Sequence, residues 1–76
     1  MRNIFLPAAV RAKELGKPLV VAHYSGRNVQ VLVNDVVVLS DGPYHYPVDC
    51  ARVLGQSIAK ERGGFFGGVA EVAFNS

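Results

Sequence analysis

Between Leu19 and Ser40 the chain runs through three apolar, β-branched segments: Leu19 to Tyr24, Asn28 to Val33 and Val36 to Ser40. They are parted only by Ser25-Gly26-Arg27 and by Asn34-Asp35. Segments of this kind with short turn-forming breaks predict a three-stranded antiparallel meander. Asn and Asp are the non-glycine residues that best tolerate positive φ, so Asn34-Asp35 suits a two-residue type I′ turn. That turn sets Val33 opposite Val36 and Leu32 opposite Val37, and a regular ladder would continue with Val31 opposite Val38 and Gln30 opposite Leu39. With parity kept through the first turn, one face carries Val20, Ala22, Tyr24, Val29, Val31, Val33, Val36 and Val38. The other carries Leu19, Val21, His23, Gln30, Leu32, Val37 and Leu39. Neither face is polar, whereas a meander ordinarily leaves one face to water. Each face therefore needs a cover, either a helix on both or a helix on one and a second molecule on the other.

The flanking segments supply two helices. In the first, Phe5, Ala8 or Ala9, Ala12 and Leu15 recur at three- and four-residue spacing. Pro7 suits the first turn, Asn3 offers an N-cap, and Gly16 with Pro18 ends the helix, which is predicted over about Pro7 to Leu15. After the turn signal Asp41-Gly42-Pro43, Pro47 to Arg62 reads as the second helix, with Asp49 in its first turn, Lys60 and Arg62 in its last, and Gly63 as C-cap. Its apolar stripe is Cys50 or Ala51, Leu54 and Ile58, and its polar stripe is Arg52, Gln56 and Lys60. Phe65 to Phe74 closes the chain as a strand, with Ala70, Val72 and Phe74 expected toward the core and Val69, Glu71 and Ala73 away from it. The expected fold is α+β, in the order α-β-β-β-α-β, with an antiparallel sheet of three to four strands packed with two helices in one domain over residues 1–76.

Composition narrows the setting. Of the 76 residues half are hydrophobic and 18% are charged, the reverse of a disordered chain. A chain this size buries roughly 60% of its unfolded surface, enough for a small core. The single cysteine, Cys50, precludes an intrachain disulfide, and a reducing, cytoplasmic compartment is expected. The net charge of +2 is too mild to name a polyanion as partner. The longest apolar run, Ile4 to Val10, contains a proline and is far shorter than the ~20 residues of a membrane span, so no membrane association is expected.

Several residues are candidates for chemistry or recognition. Tyr44-His45-Tyr46 gathers two of the three tyrosines and one of the two histidines in one loop. Tyrosines on a rigid scaffold make effective contacts, although they also serve as a lid on a small core. Cys50 falls in the first turn of the second helix, where the dipole favours a thiolate, and His45 lies five residues before it. Its position on the apolar stripe reads instead as a small buried hydrophobe. His23, His45, Asp49 and Cys50 have no metal-ligand spacing, so neither a metal nor a cofactor is expected. His23 and Gln30 are expected as cross-strand neighbours that mark a polar patch on the second face.

The tract Gly63 to Gly68 encloses Phe65 and Phe66, which point oppositely in a strand, so one ring is expected in the core and the other at the surface as an anchor. Gly64-Phe65-Phe66-Gly67 spells the G-x-x-G of KH-type RNA-binding domains, over four residues only and with no basic residue between the glycines. Basic residues cluster as Arg11, Lys13 and Lys17 near the first helix and as Arg52, Lys60 and Arg62 along the second. The order of the first five elements resembles that of the double-stranded-RNA-binding domain, in topology alone. That resemblance implies phosphate contacts from a helix. Here, however, Gly42-Pro43 follows the third strand rather than the first, and a further strand follows the second helix.

No paired carboxylates, activated nucleophile or phosphate loop can be assembled, and so short a chain has little room for a catalytic cleft; an enzyme is not expected. The expected function is a protein-interaction module that occupies a surface on a larger partner through Tyr44, His45, Tyr46, Phe65, Phe66, His23 and Gln30. Small phage and mobile-element inhibitors, anti-CRISPR proteins among them, act in this way, although no residue motif here matches one. Self-association through the second sheet face fits the same surplus of apolar surface. The alternative is a nucleic-acid-binding domain using Arg52, Gln56, Lys60 and Arg62.

Overall fold

A computed structural model describes residues 5–74. The elements follow the expected order: α1 (Leu6–Leu15), β1 (Leu19–Ser25), β2 (Asn28–Val33), β3 (Val36–Asp41), α2 (Pro47–Arg62) and β4 (Phe65–Glu71). Both helices carry proline in the first turn and end on a left-handed glycine, Gly16 and Gly63, where positive φ is free of Cβ strain. The Asn3 cap proposed for α1 lies outside the described residues.

The four strands lie in the order β3-β2-β1-β4. β1, β2 and β3 form the antiparallel meander, but β4 joins β1 in parallel, so the sheet is mixed rather than wholly antiparallel. The direction of β4 follows from α2. The helix carries the chain back along the sheet after β3, and β4 must then run the same way as β1 and β3.

The Asn34-Asp35 turn has φ of 48° and 69° and pairs Val33 with Val36 and Leu32 with Val37. Beyond that the ladder departs from the regular register. A bulge sets Val31 against Leu39 and Gln30 against Ser40, not against Val38 and Leu39. One extra residue in β3 turns every later side chain to the other face. Val38 and Leu39 both pack with the core that includes Val31, and Leu39 leaves the face of Leu32 and Val37.

Each sheet face has its own helix. α2 lies across β1, β2 and β4. Its small residues Ala51, Gly55 and Ala59 press on Val20, Ala22, Val29 and Val31, all buried. α1 covers the opposite face, chiefly at β1 and β4, where Phe5 and Ala12 pack on Leu19 and Val21. Leu32 of β2 packs at the margin of that cluster, and Val37 of β3 is exposed beyond it.

β4 is shorter than predicted and ends at Glu71. Because both faces of the sheet are helix-covered here, Val69 packs on the α2 side and Ala70 on the α1 side; Val69 does not face away. Neither phenylalanine ring stands free at the surface, where one of the two was expected. Phe65 joins the α1 core and Phe66 the α2 core, both half-buried. The surrounding glycines serve packing. A β-carbon on Gly67 would stand 3.0 Å from Ala8 and 3.1 Å from Leu19, so its absence lets α1 sit close to the sheet. Gly68 has φ of +129°, a conformation that side chains disfavour.

Candidate functional site

The loop from Gly42 to Tyr46 leaves the end of β3 and turns inward over the start of β2. The Tyr44 amide donates to the Arg27 carbonyl at 2.8 Å. Arg27 returns two contacts, its Nε donating to the Tyr44 carbonyl at 3.1 Å and its Nη2 lying 3.1 Å from His45 Nδ1. The Tyr44 hydroxyl donates to Asp41 Oδ2 at 2.6 Å, and its ring packs against the α2-side core. One guanidinium and one carboxylate thus fix a loop that has no regular structure of its own. The hydrogen bond has a reciprocal electrostatic effect: it holds the Asp41 carboxyl below the usual aspartate value and the Tyr44 phenol above its ordinary one.

Pinned this way, the loop forms one wall of a cleft of about 360 Å³, lined by Tyr44, Tyr46, Asp49, Cys50, Val53 and Leu54. The lining is mostly apolar and the large side chains at its mouth are open to water: Tyr46 is 73% exposed and Val53 60%. Val48, beside them in sequence, is also exposed. The Cys50 thiol is half-buried in the cleft wall, and its amide donates to the Tyr46 carbonyl at 3.0 Å in the first turn of α2. His45 is held against Arg27, so the structure gives the Cys-His pairing considered from sequence no geometric support.

The other candidates separate into different regions. His23 and Gln30 are cross-strand neighbours as expected. His23 stacks on Phe5, with ring centroids 6.1 Å apart and planes 17° from parallel. Burial lowers its pKa below the usual histidine value, with the charge of Asp35 opposing that shift. Half of the expected polar patch is therefore taken up in seating α1. Phe65 and Phe66 are occupied in the two cores. Arg52, Gln56, Lys60 and Arg62 are exposed on α2, and Arg52 lies 3.6 Å from Asp49.

Sequence reasoning missed Val53 and Val48. Val53 appeared only as a flank of the apolar stripe. It lies on the side of α2 opposite the buried Ala51, Gly55 and Ala59, so its exposure follows from how the helix is seated on the sheet. No helix among the described residues is long and apolar enough to cross a membrane. Compared with family models, curated proteins and solved structures, the chain matches none.

Proposed function

We propose that this chain is a non-enzymatic protein-interaction module whose contact surface is the cleft between the Tyr44-His45-Tyr46 loop and the first two turns of α2. The observation that carries this reading is the pairing of Tyr46 with Val53, two large apolar side chains more than half exposed at the mouth of an apolar cleft. An exposed aromatic beside an aliphatic on a rigidly held loop is the composition of a binding hot spot, and a monomer gains nothing by leaving it in water. Occupying a surface on a larger assembly, as small phage inhibitors do, is the mode of action that suits a chain of this size. A reducing, cytoplasmic setting suits its single free thiol.

The nucleic-acid alternative draws on the α2 stripe. The Asp49 carboxylate beside Arg52 sets a negative charge at one end of it, which weighs against a phosphate track. Self-association retains a smaller surface than expected, since Leu32 packs against the α1-side core and Val37 is left exposed at its margin.

The test is affinity capture with variants. Binding to a captured protein is expected to be lost in Tyr46→Ala and Val53→Ala and retained in Arg52→Glu with Lys60→Glu. Loss in the charge reversal, with a salt-sensitive gel shift on nucleic acid, would overturn the reading.

A further inference from the structure

A second cavity, of about 340 Å³, opens where the end of α1 meets the Asn34-Asp35 turn. Its apolar lining includes Ala12 and Leu19, both buried, and its polar lining is Lys13, Lys17, Asn34 and Asp35. Both sides of it are tied down. The Lys17 amide donates to the Ala12 carbonyl at 2.9 Å, which fixes the chain at the end of α1. Asn34 donates its amide to the Leu19 carbonyl at 2.9 Å and accepts the Leu19 amide on Oδ1 at 3.0 Å, which fixes the turn to the start of β1. The space is therefore preformed, at the small end of the range for ligand sites.

The charges around it are uncommitted within the described chain. Lys13 and Lys17 bring two ammonium groups and Asp35 one carboxylate, and among the described residues none of the three forms an ion pair; Glu14, next to Lys13 in sequence, lies 3.8 Å from Arg11 instead. Asp35 holds φ of 69° at the second central position of a type I′ turn, where glycine is the easier residue. A strained position that keeps a carboxylate, with no partner for it among the described residues, points to a partner outside the chain. A simple anion in the cavity would meet the repulsion of Asp35, and a simple amine that of two lysines. A molecule with one charge of each sign and an apolar body satisfies every group.

We infer that this cavity binds a free α-amino acid with an aliphatic side chain. Lys13 and Lys17 take its carboxylate, with the Nδ2 hydrogens of Asn34 as further donors, Asp35 takes its ammonium group, and Ala12 and Leu19 receive its side chain. Because the charged residues are exposed, each ion pair contributes little, and binding is expected in the millimolar range. The site shares no residue with the Tyr46 and Val53 cleft, and the inference does not rest on the interaction reading.

The test compares L-leucine with isocaproate, which lacks the ammonium group, and with isoamylamine, which lacks the carboxylate. Each is titrated into the intact chain at neutral pH and constant ionic strength, and backbone amide resonances are followed. Leucine is expected to shift the amides of Lys13, Lys17, Asn34 and Asp35 saturably and to bind about three- to tenfold more tightly than either analogue. In Asp35→Gly, which removes the carboxylate and relieves the turn, leucine and isocaproate are expected to bind alike. In Lys13→Gln with Lys17→Gln, leucine is expected to lose its advantage over isoamylamine. The absence of a saturable shift up to the solubility limit of leucine overturns the inference, as does isocaproate binding the unaltered chain as tightly as leucine or an undiminished leucine preference in Asp35→Gly. Shifts confined to Tyr46 and Val53 overturn it as well. None of these outcomes touches the cleft reading, which stands or falls on partner capture by Tyr46→Ala and Val53→Ala.

Discussion

Gly55 lies directly under the ring of Phe66: a β-carbon at position 55 would overlap the ring. The contact brings α2 down onto β4 and makes Phe66 part of the α2-side core. Gly55→Ala tests it. Overpacking costs about 1–3 kcal/mol and the gain in helix propensity offsets about 1. Because the β-carbon would overlap the ring, the upper part of the overpacking range applies, and a net loss of about 1–2 kcal/mol is expected, read as a fall in Tm of about 4–16 °C. An unchanged or raised Tm would show that the ring moves aside without cost.

Phe66 and Tyr46 separate stability from recognition. Phe66→Ala empties part of a core and is expected to cost about 2–3 kcal/mol, below the full range for a buried phenylalanine because the ring is half-buried. Tyr46→Ala removes a side chain that is 73% exposed and is expected to change stability by no more than about 0.5 kcal/mol while weakening partner capture. Denaturant midpoints and capture yields, measured on both variants, check the contrast.

Asn34 has two tasks in one turn. It adopts φ of 48° and its Oδ1 accepts from the part-buried Leu19 amide at 3.0 Å, while its own amide donates to the Leu19 carbonyl at 2.9 Å. Asn34→Gly keeps the backbone conformation but leaves the Leu19 donor without its acceptor, a loss of about 1–2 kcal/mol. Asn34→Ala adds left-handed strain and is expected to lose about 2–3 kcal/mol. Equal losses in urea melts would remove the backbone part of the explanation.

Acidification acts through His23. Its folded pKa is lowered, chiefly by burial against Phe5, so between the folded and unfolded values the unfolded chain binds more protons. Stability is unaffected by this group above the ordinary histidine pKa, declines as pH falls below it, and levels off below the folded pKa. The difference in urea midpoint between the unaltered chain and His23→Gln is expected to shift against the unaltered chain on going from neutral pH to mildly acidic pH. A constant difference would mean that His23 titrates as if in water.

Asp41 and Tyr44 titrate outside that window and in opposite senses. The hydrogen bond lowers Asp41, so its contribution is present above the unfolded carboxyl value and lost as pH falls through the folded one. It raises Tyr44, so that contribution is present below the unfolded phenol value and lost as pH rises through the folded one. In Asp41→Asn the phenol, followed by phenolate absorbance, is expected to titrate nearer its ordinary value. No change would place the cause elsewhere than the 2.6 Å contact.

Much of this architecture is local and so legible in the residues. The order α-β-β-β-α-β came from periodicity and turn chemistry, and the Val33 to Val36 register came from the conformational tolerance of Asn34 and Asp35. That both sheet faces need a cover followed from their lack of polar residues, and the Tyr44 to Tyr46 loop was visible as an aromatic cluster between turns. What depends on distant partners was not legible. The bulge that turns Leu39 inward arises from how β3 fits against β2 and the core, and no residue of β3 marks it. The parallel seat of β4, and the burial of both Phe65 and Phe66, follow from a helix on each face. The cleft opens at Val53 because α2 turns Ala51, Gly55 and Ala59 to the sheet, which leaves Val53 on its outer side near the Tyr44 to Tyr46 loop. Backbone preference acts over a few residues and can be read from them, whereas exposure depends on which elements stand above a side chain, and only packing of the whole chain decides that.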